Sequence, residues 1–590
     1  MKEFLKYTAA TVVGLIIFCV VMAAFGMMSL VGIMASGQAK TQVKDNSVMV
    51  LQLNGTITDQ KQENIMDRFT GDGAGQTGLN EITSAIKKAK ANDKIKGIYI
   101  EAGSMSCDYA TLQEIRETLA DFRKSGKWIV AYGDNYEQET YYVASVADKV
   151  YINPQGMLDW HGIASQPMFY KDLMAKFGVK FQVVKVGSFK SATETLTEDK
   201  MSDANRQQVS AFIGGTWNNI CQAVAKSRGV SVDSLNAWAD RCIIFDGAET
   251  LTRTRLVDGL VYADQMKGVV KKLLKIEEDD DIAQLSVSDM QNVKDESRDG
   301  DEIAVYYASG SIVQTAGKSP VKRGRSIVAT TVCKDLEQLM NDDDVKAVVI
   351  RVNSGGGDAF ASEQIWHQVS ELKAKKPVVV SMGDYAASGG YYMSACASWI
   401  VAQPNTLTGS IGIFGAIPDL SGLMTQKLGV KFDEVKTNRN SGFGNIMARP
   451  FNEEETALLQ KNVNRGYKLF RQRVADGRHM STEEVERIAQ GRVWLGTDAL
   501  KIKLVDELGG LDAAVAKAAK LAKMDKWHTM EYPKPASWTT QLLEKTSNGS
   551  YLDEQIRLNL AEFYEPYMFL KNLNNHEVLQ ARVPFIINIR

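Results

Sequence analysis

The chain contains two copies of one sequence pattern, offset by 250 residues. The first copy carries the series Lys96, Ile100, Ser104 and Asp108, and the second carries Lys346, Ile350, Ser354 and Asp358. The same offset relates four more pairs farther along: Gly133 and Gly383, Tyr141 and Tyr391, Pro154 and Pro404, and Gly162 and Gly412. A repeat in constant register indicates that one structural unit has been duplicated. We therefore expect two related folding units in tandem.

Each copy alternates short apolar segments with a segment of helical spacing. In the first copy, residues 96–100 and 128–132 are typical of buried strands, and residues 109–123 have an apolar helical face. The second copy repeats this order over residues 347–352, 361–372 and 377–382. Strand, helix and strand at this pitch predict stacked βαβ units with a largely parallel sheet, so the predicted fold class is α/β.

The repeat also sets the expected domain boundaries. We predict an N-terminal repeat over residues 41–276 and a C-terminal repeat over residues 303–530. Residues 277–302 between them are acidic and polar, which is typical of a linker. Residues 531–590 form a tail to which the sequence assigns no function.

The N-terminal segment is predicted to cross a membrane. No charged residue occurs from Tyr7 to Gly37, and the apolar stretch 9–34 is long enough for a transmembrane helix, which needs about 20 residues. Lys2 and Lys6 precede this stretch, so the positive-inside tendency keeps the start of the chain in the cytoplasm. We predict that residues 1–40 are a cytoplasmic N-terminus and a single-pass anchor that contacts the bilayer through residues 9–34. A cleaved signal peptide is the open alternative.

Composition argues against several kinds of site. The formal net charge is −2, so no overall positive field favours nucleic acid as a partner. The five histidines and six cysteines show no metal-ligand spacing, and neither a metal nor a cofactor is predicted. Cys221 and Cys242 are either a disulfide or two free thiols, depending on the compartment.

The two copies differ at one position that carries chemical information. The second copy places Ser388 between small residues, whereas the first copy has Gln138 between acidic residues. Ser388 follows an apolar strand and precedes a predicted helix, so helix-start amides, including that of Gly389, would favour negative charge nearby. The glycine turn 355–357 offers a second amide donor for an oxyanion. The Gly-x-Ser-x-Gly pattern is not matched, so the spacing alone is also compatible with an ordinary turn.

A nucleophilic serine needs a base, and the repeat suggests a lysine. None of the five histidines lies in a motif that ties it to Ser388. Beyond the core of the repeat the copies realign with one residue inserted, and Lys190 of the first copy meets Ser441 of the second. One copy thus keeps the serine and the other keeps the lysine, which favours Ser388 and Lys190 as a nucleophile and base. A lysine acts as a base only when neutral, so we predict that Lys190 is buried where the copies meet, with Glu194 and Glu198 pointing away.

Four motifs, in this order, resemble the signature of the signal peptide peptidase A (protease IV) family, peptidase family S49, in its long duplicated form. They are Lys190-Ser191-Ala192, Asn353-Ser-x-Gly-Gly, Ala387-Ser-Gly-Gly-Tyr and Leu407-Thr-Gly-Ser-Ile-Gly. The resemblance extends from the anchor to about residue 530. It implies Ser388 as nucleophile, Lys190 as general base, and Ser410 as the residue that orients Lys190. It also implies the amides of Gly389 and Gly356 as oxyanion donors.

Two departures from the family pattern stand out. The family usually has proline where this chain has Gly355. The first copy lacks the glycine turn and has Trp160 opposite Ser410, so we expect it to be catalytically inactive apart from the lysine it contributes.

The resemblance also implies a fold, an assembly and a substrate class. The fold would be that of the Clp protease subunit and crotonase, assembled as a homotetramer, with the catalytic region on the periplasmic side of a bacterial inner membrane. The substrates would be released signal peptides and other hydrophobic envelope peptides. The aromatic residues beside Ser388, namely Tyr385, Tyr391 and Tyr392, together with Met393, either line a peptide groove or belong to the core. Envelope quality-control proteolysis, a crotonase-like acyl-CoA hydratase or lyase, and a non-catalytic scaffold are the alternatives.

Overall fold

The computed structural model of the chain describes residues 6–7, 13–15, 17–18, 21–22, 41–61, 75–293, 299–315, 326–533 and, for the backbone alone, 580–582. The predicted anchor lies largely outside these residues, and so does most of the predicted tail. In the part of the chain that is described, no helix combines the length and apolar character needed to span a bilayer.

The first repeat folds as a parallel sheet covered by helices. Its strands are β1 (Ser47–Thr58), β2 (Gln76–Gly78), β3 (Ile95–Ser106), β4 (Trp128–Gly133), β5 (Lys149–Ile152), β6 (Lys180–Lys185), β7 (Gly259–Leu260) and β8 (Gln284–Ser286). All of them except β6 form one sheet in the order β2-β1-β3-β4-β5-β7, with β8 also paired to β1. The parallel pairing confirms the prediction of stacked βαβ units.

Ten α-helices belong to the described residues of this repeat. They are α1 (Leu79–Ala91), α2 (Tyr109–Arg123), α3 (Gln138–Ala144), α4 (Lys171–Lys176), α5 (Glu194–Thr197), α6 (Asp203–Arg228), α7 (Val232–Asp240), α8 (Ala248–Arg253), α9 (Met266–Leu274) and α10 (Val287–Gln291). The bounds of α2 confirm the predicted helix, because Leu112, Ile115 and Leu119 form its buried face.

The second repeat is built in the same way around a sheet of eight strands. Its strands are β9 (Asp301–Ser309), β10 (Ser311–Val313), β11 (Ser326–Val328), β12 (Val345–Ser354), β13 (Gly356–Asp358), β14 (Val378–Ala387), β15 (Trp399–Ala402), β16 (Leu407–Gly409), β17 (Phe414–Asp419), β18 (Val493–Leu495), β19 (Glu507–Leu508), β20 (Trp527–Tyr532) and β21 (Gln580–Arg582). The sheet runs β18-β16-β14-β12-β9-β20, and β15 pairs with β14 and β19. The strand β14, which leads to Ser388, is therefore central.

Seven further helices follow the described strands of the second repeat. They are α11 (Ala329–Asn341), α12 (Ala359–Lys375), α13 (Gly389–Ser394), α14 (Glu453–Arg478), α15 (Thr482–Ile488), α16 (Gly496–Lys501) and α17 (Leu511–Leu521). Each repeat encloses its own hydrophobic core.

A third sheet joins the two repeats, and this is what positions the site. Strand β6 of the first repeat pairs antiparallel with β17 of the second, and Val184 of β6 is buried in the second repeat's core. The sheet runs β11-β10-β13-β21-β17-β6, so the C-terminal strand β21 lies between β13 and β17. Lys190 follows soon after the end of β6. Because β6 pairs with β17, this pairing places Lys190 next to the second repeat.

The segment between the repeats differs from the expected linker. Residues 277–302 contain β8, which pairs with β1, and α10, which packs against α1. Most of this acidic stretch is thus integrated into the first repeat. The described charged residues of this stretch lie at exposed or half-buried positions. Met290 of α10 is buried, and Val287 and Val293 pack partly buried against the first repeat's core.

Candidate active site

Ser388 occupies a strained turn between β14 and α13. Its backbone has φ 55° and ψ −113°, a conformation that non-glycine residues rarely adopt and that is concentrated at functional sites. Its neighbours are small because the turn is crowded: a Cβ at Gly390 would lie 2.7 Å from the carbonyl oxygen of Ser354. The strand–turn–helix geometry is that of a nucleophile elbow, although the usual sequence pattern is absent. The serine side chain is fully buried.

Lys190 lies directly beside this serine. Its Nζ is 2.8 Å from Ser388 Oγ, 3.0 Å from Ser410 Oγ and 3.1 Å from the carbonyl oxygen of Ser410. The lysine is fully buried, and this burial holds its pKa well below the usual range. These three partners are hydroxyl and carbonyl oxygens rather than carboxylates. The Glu194 side chain points away and accepts hydrogen bonds from Ser202 and Asn205.

Ser410 is held in place on both sides. It follows β16, which pairs with β14, and it has a positive φ of 50°. The Ser410 amide donates to the carbonyl of Arg492 at 2.7 Å, and the Ser388 amide donates to the carbonyl of Gly409 at 2.8 Å. The structure therefore brings together all three polar side chains that the sequence singled out.

A turn that the sequence did not single out clamps the lysine loop. In the turn formed by Gln490, Gly491 and Arg492, the carbonyl of Gln490 accepts from the Phe189 amide at 2.9 Å. The Gly491 amide donates to the carbonyl of Ile411 at 2.8 Å, so one turn touches the loops of both Lys190 and Ser410. The available signal was weak, because Gln490 and Gly491 both have positive φ but only the glycine marks a turn in sequence.

A second support for the lysine loop comes from helix α6. The Gln208 side-chain amide donates to the carbonyl of Phe189 at 3.0 Å and to Ser191 Oγ at 2.9 Å. Its oxygen accepts from the amide of Val493 on β18 at 3.3 Å. A buried glutamine from the first repeat thus ties the loop to the second repeat, and nothing in its local sequence pattern marks it.

The two candidate oxyanion donors, the amides of Gly389 and Gly356, differ in their hydrogen-bond partners. Gly389 is the first residue of α13, where a backbone amide has no partner within the helix. The Gly356 amide donates to Ser354 Oγ at 3.1 Å. Gly356 has φ 99°, which a side chain would strain, and it pairs with Arg582 of β21.

The corresponding region of the first repeat is filled by other side chains. The Gln138 amide donates to Tyr109 OH at 2.8 Å, and its oxygen accepts from the Gly162 amide at 3.0 Å. Trp160, opposite Ser410, is fully buried and donates to the carbonyl of Leu235. The positions in the first repeat that correspond to Ser388 and Ser410 are thus occupied by buried, hydrogen-bonded side chains that cannot serve as nucleophile or orienting hydroxyl.

Several other sequence expectations can be placed. Tyr391, Tyr392 and Met393 are buried in the core, which excludes them as groove-lining residues. Cys221 and Cys242 are free, one buried and the other exposed. Among the described residues, no cluster of histidine, cysteine or carboxylate side chains is arranged to hold a metal ion.

Comparisons with known proteins agree with the duplicated organisation. The family described as Peptidase family S49 matches residues 121–277 and 370–525. "Protease 4" of Salmonella typhi is 38% identical over 492 residues, covering 82% of this chain and 76% of that protein. "Protease 4" of Haemophilus influenzae is 32% identical over 521 residues, covering 84% and 82%.

A chloroplast relative and a solved structure were also found. "Serine protease SPPA, chloroplastic" of Arabidopsis thaliana is 30% identical over 487 residues, covering 82% of this chain and 70% of that protein. Among solved structures, "ClpP1 from Listeria monocytogenes" aligns at 17% identity and a TM-score of 0.22, covering 35% of this chain and 91% of that one.

Proposed function

Because the chain belongs to peptidase family S49 and is a serine-type peptidase, we propose that it cleaves peptide bonds with Ser388 as nucleophile and Lys190 as general base. The observation that carries this proposal is the 2.8 Å separation of Lys190 Nζ and Ser388 Oγ inside a fully buried site. Family membership favours the peptidase over an acyl-CoA hydratase or lyase and over a non-catalytic scaffold.

In the proposed mechanism, burial supplies a neutral lysine. The neutral amine accepts the proton of Ser388 as its Oγ attacks the carbonyl carbon of the scissile bond. The resulting lysinium donates that proton to the leaving amine, and the acyl-enzyme forms. A water molecule then attacks the acyl-enzyme while the amine accepts its proton. The lysinium returns this proton to Ser388 Oγ as the acyl C–O bond breaks, so that the carboxylic acid product leaves with serine and neutral lysine restored. Ser410, whose hydroxyl lies within hydrogen-bonding distance of the amine, orients it throughout.

We assign the oxyanion to amides of the two turns that flank Ser388. The Gly389 amide stands at the start of α13, where the helix dipole favours negative charge. The Gly356 amide is the second proposed donor, and it would exchange its Ser354 hydroxyl partner for the oxyanion.

Substrates are proposed to bind as extended strands. Strand β21 supports this, because it is an extended segment of the same chain paired antiparallel with both β13 and β17. An incoming peptide that used the same backbone groups would run beside Gly356. We propose released signal peptides and other hydrophobic envelope peptides as the substrate class, and general envelope quality control as the second candidate.

We also propose a single-pass anchor in a bacterial inner membrane, with the catalytic region in the periplasm. The support is the uncharged apolar segment 9–34 behind two lysines.

We further propose that the protein is a homo-oligomer, with the homotetramer as the expected form. Strands β6 and β17 pair within the chain. The second repeat's counterpart of β6, residues 431–436, and the first repeat's counterpart of β17, residues 164–169, belong to no strand. Val435 in the first of these segments is 96% exposed, and Met168 in the second is 48% exposed. If residues 431–436 of one protein molecule paired with residues 164–169 of the next, the head-to-tail contacts would close a ring. Light scattering in detergent would measure the mass of this oligomer.

The decisive experiment is labelling and turnover of four forms of the chain. Wild type should react with a serine-directed fluorophosphonate at Ser388 and cleave a fluorogenic peptide. Ser388→Ala and Lys190→Ala should each abolish turnover while keeping the wild-type circular dichroism spectrum. Ser441→Ala, which changes the exposed counterpart of Lys190, should behave as wild type. Substantial turnover in either of the first two variants would refute the proposed pair, and acyl-CoA turnover without labelling would favour the alternative enzyme.

A further inference from the structure

Helix α2 in the first repeat does not receive its N-terminal cap from its own chain segment. In the second repeat, the equivalent helix α12 is capped in the ordinary way, because Asp358 accepts from the amide of Ala361 at 2.7 Å. The residues 250 positions earlier are Asp108 and Thr111, at the same places in α2. The Asp108 side chain does not cap the helix.

The missing cap is supplied by the other repeat. The Thr111 amide donates to Asp384 Oδ1 at 2.8 Å, and Thr111 Oγ1 donates to Asp384 Oδ2 at 2.7 Å. Asp108, displaced from its capping role, accepts from Tyr385 OH at 3.1 Å. A carboxylate of the second repeat thus caps a helix of the first, while Asp108 of the first repeat bonds to the second.

Asp384 also connects this boundary to the proposed active site. It lies on β14, four residues before Ser388. Asn353 on β12 donates to Asp384 Oδ2 at 3.2 Å and accepts from the Tyr385 amide at 3.1 Å. Asn353 immediately precedes Ser354, whose hydroxyl accepts from the Gly356 amide. One carboxylate thus contacts the nucleophile strand, the strand that leads to the glycine turn, and the first repeat.

Buried charged neighbours extend this network. Arg351 is fully buried and bonds to Asp59 Oδ1 at 2.8 Å, with Glu114 Oε2 at 3.0 Å on its other side. Asn353 donates to the remaining oxygen of Asp59 at 2.8 Å. Burial, followed by the nearby Asp59, raises the pKa of Asp384.

The equivalent position in the first repeat has local partners instead. Asp134 corresponds to Asp384 but is exposed, and it accepts from the side chains of Tyr132 and Asn153 within its own repeat. The duplicated aspartate has therefore kept a local role in one repeat and bridges the repeats in the other.

We propose that Asp384 is a positioning residue of the proposed active site. Through the cap that Asp384 provides, the placement of helix α2 is transmitted to Ser388 and the glycine turn. This inference rests on the proposed function of Ser388 and Lys190. It gives the inactive first repeat a second task besides contributing the lysine: its helix α2 sets the distance between the nucleophile strand and the oxyanion turn.

The test compares kcat per labelled Ser388 in four variants of the full chain. Asp384→Ala removes the cap and the Asn353 contact, and it should lower kcat by about 10- to 100-fold with KM changed less than about threefold. Asp384→Asn keeps an oxygen for the Thr111 amide but turns an NH2 toward the Asn353 amide, so it should recover only part of that loss. Thr111→Val removes only the hydroxyl contact with little change in volume, and it should lower kcat severalfold. Asp134→Ala is the matched control and should match wild type.

The outcomes separate this proposal from the function on which it rests. Turnover that survives Ser388→Ala or Lys190→Ala refutes the proposed function itself. If those variants are inactive but Asp384→Ala and Thr111→Val retain kcat within twofold, the positioning role is wrong. A loss that appears only as fewer labelled molecules, with kcat per labelled serine unchanged, also overturns it, because it shows a purely structural role.

Discussion

Gly491 is the position where a single methyl group should disturb the proposed base most directly. A Cβ built on Gly491 would lie 2.6 Å from Lys190 Cβ, 2.7 Å from its backbone nitrogen and 2.8 Å from its Cα. Gly491 also has φ +77°, which alanine adopts only with strain. Two of the three opposing atoms are backbone, so the clash cannot be relieved by a side-chain rotation. Gly491→Ala should therefore push the lysine loop away from Ser388.

The size of the effect follows from these distances. Carbon–carbon contacts are ordinarily about 3.5 Å or longer, so the 2.6 Å approach requires a shift of about 1 Å. A misplacement of this size costs on the order of 100-fold in kcat, which is about 2.7 kcal/mol of transition-state stabilisation. The left-handed backbone adds about 1–2 kcal/mol of strain and overpacking about 1–3 kcal/mol. The free energy of unfolding should fall by the sum of these two, about 2–5 kcal/mol.

A matched glycine separates the backbone strain from the clash. Gly126 has φ +80°, and a Cβ added there would meet no atom within 4 Å, so Gly126→Ala carries the strain alone. We expect Gly126→Ala to lose about 1–2 kcal/mol in urea unfolding with unchanged kcat. Peptide turnover per fluorophosphonate-labelled serine is the assay for both. If Gly491→Ala keeps kcat within twofold of Gly126→Ala, the clamp on Lys190 is not as we describe it.

Three other outcomes are expected. Arg351→Met should lower the free energy of unfolding by about 3–5 kcal/mol, because it leaves two buried carboxylates uncompensated, whereas Lys346→Met on the same strand should change it by less than about 0.5 kcal/mol in urea titrations. The base must be neutral and burial lowers the pKa of Lys190, so kcat/KM should be constant at high pH and fall about tenfold per pH unit below that pKa; a profile rising toward acid would contradict the assignment. Gln138→Ser should create no second labelled serine, because Trp160 fills the place of the orienting residue; labelling of the first repeat would refute this.

The structure bears out much of the fold that was predicted from local pattern. Helix α2 has the bounds that its apolar spacing predicted, and the strands of each repeat pair in parallel as βαβ units should. Residues 277–302 were expected to be a linker, because composition reports average polarity and does not reveal short elements such as β8 and α10, which pack on the first repeat through a few apolar residues. Most of the predicted anchor and tail lies outside the described residues.

The differences between the two repeats indicated the site more clearly than the motif around Ser388 or the motif around Lys190 did alone. Ser388 and Lys190 were singled out because each copy retains what the other has lost, and their side chains meet although 198 residues separate them. The clamp by Gln490 and the cap by Asp384 escaped notice. Their partners, Phe189 and Thr111, are distant in sequence, and such contacts leave no trace in local periodicity.

The sequence by itself determined that the chain is a duplicated α/β protein and which residue types could carry its chemistry, because strand and helix periodicity and the mismatches between the copies are local properties. Only the tertiary structure decided that Lys190 is buried against Ser388. The physical reason is that β6, a strand of the first repeat, pairs with β17 of the second. This pairing buries Lys190 away from water and places it beside the strained turn at Ser388.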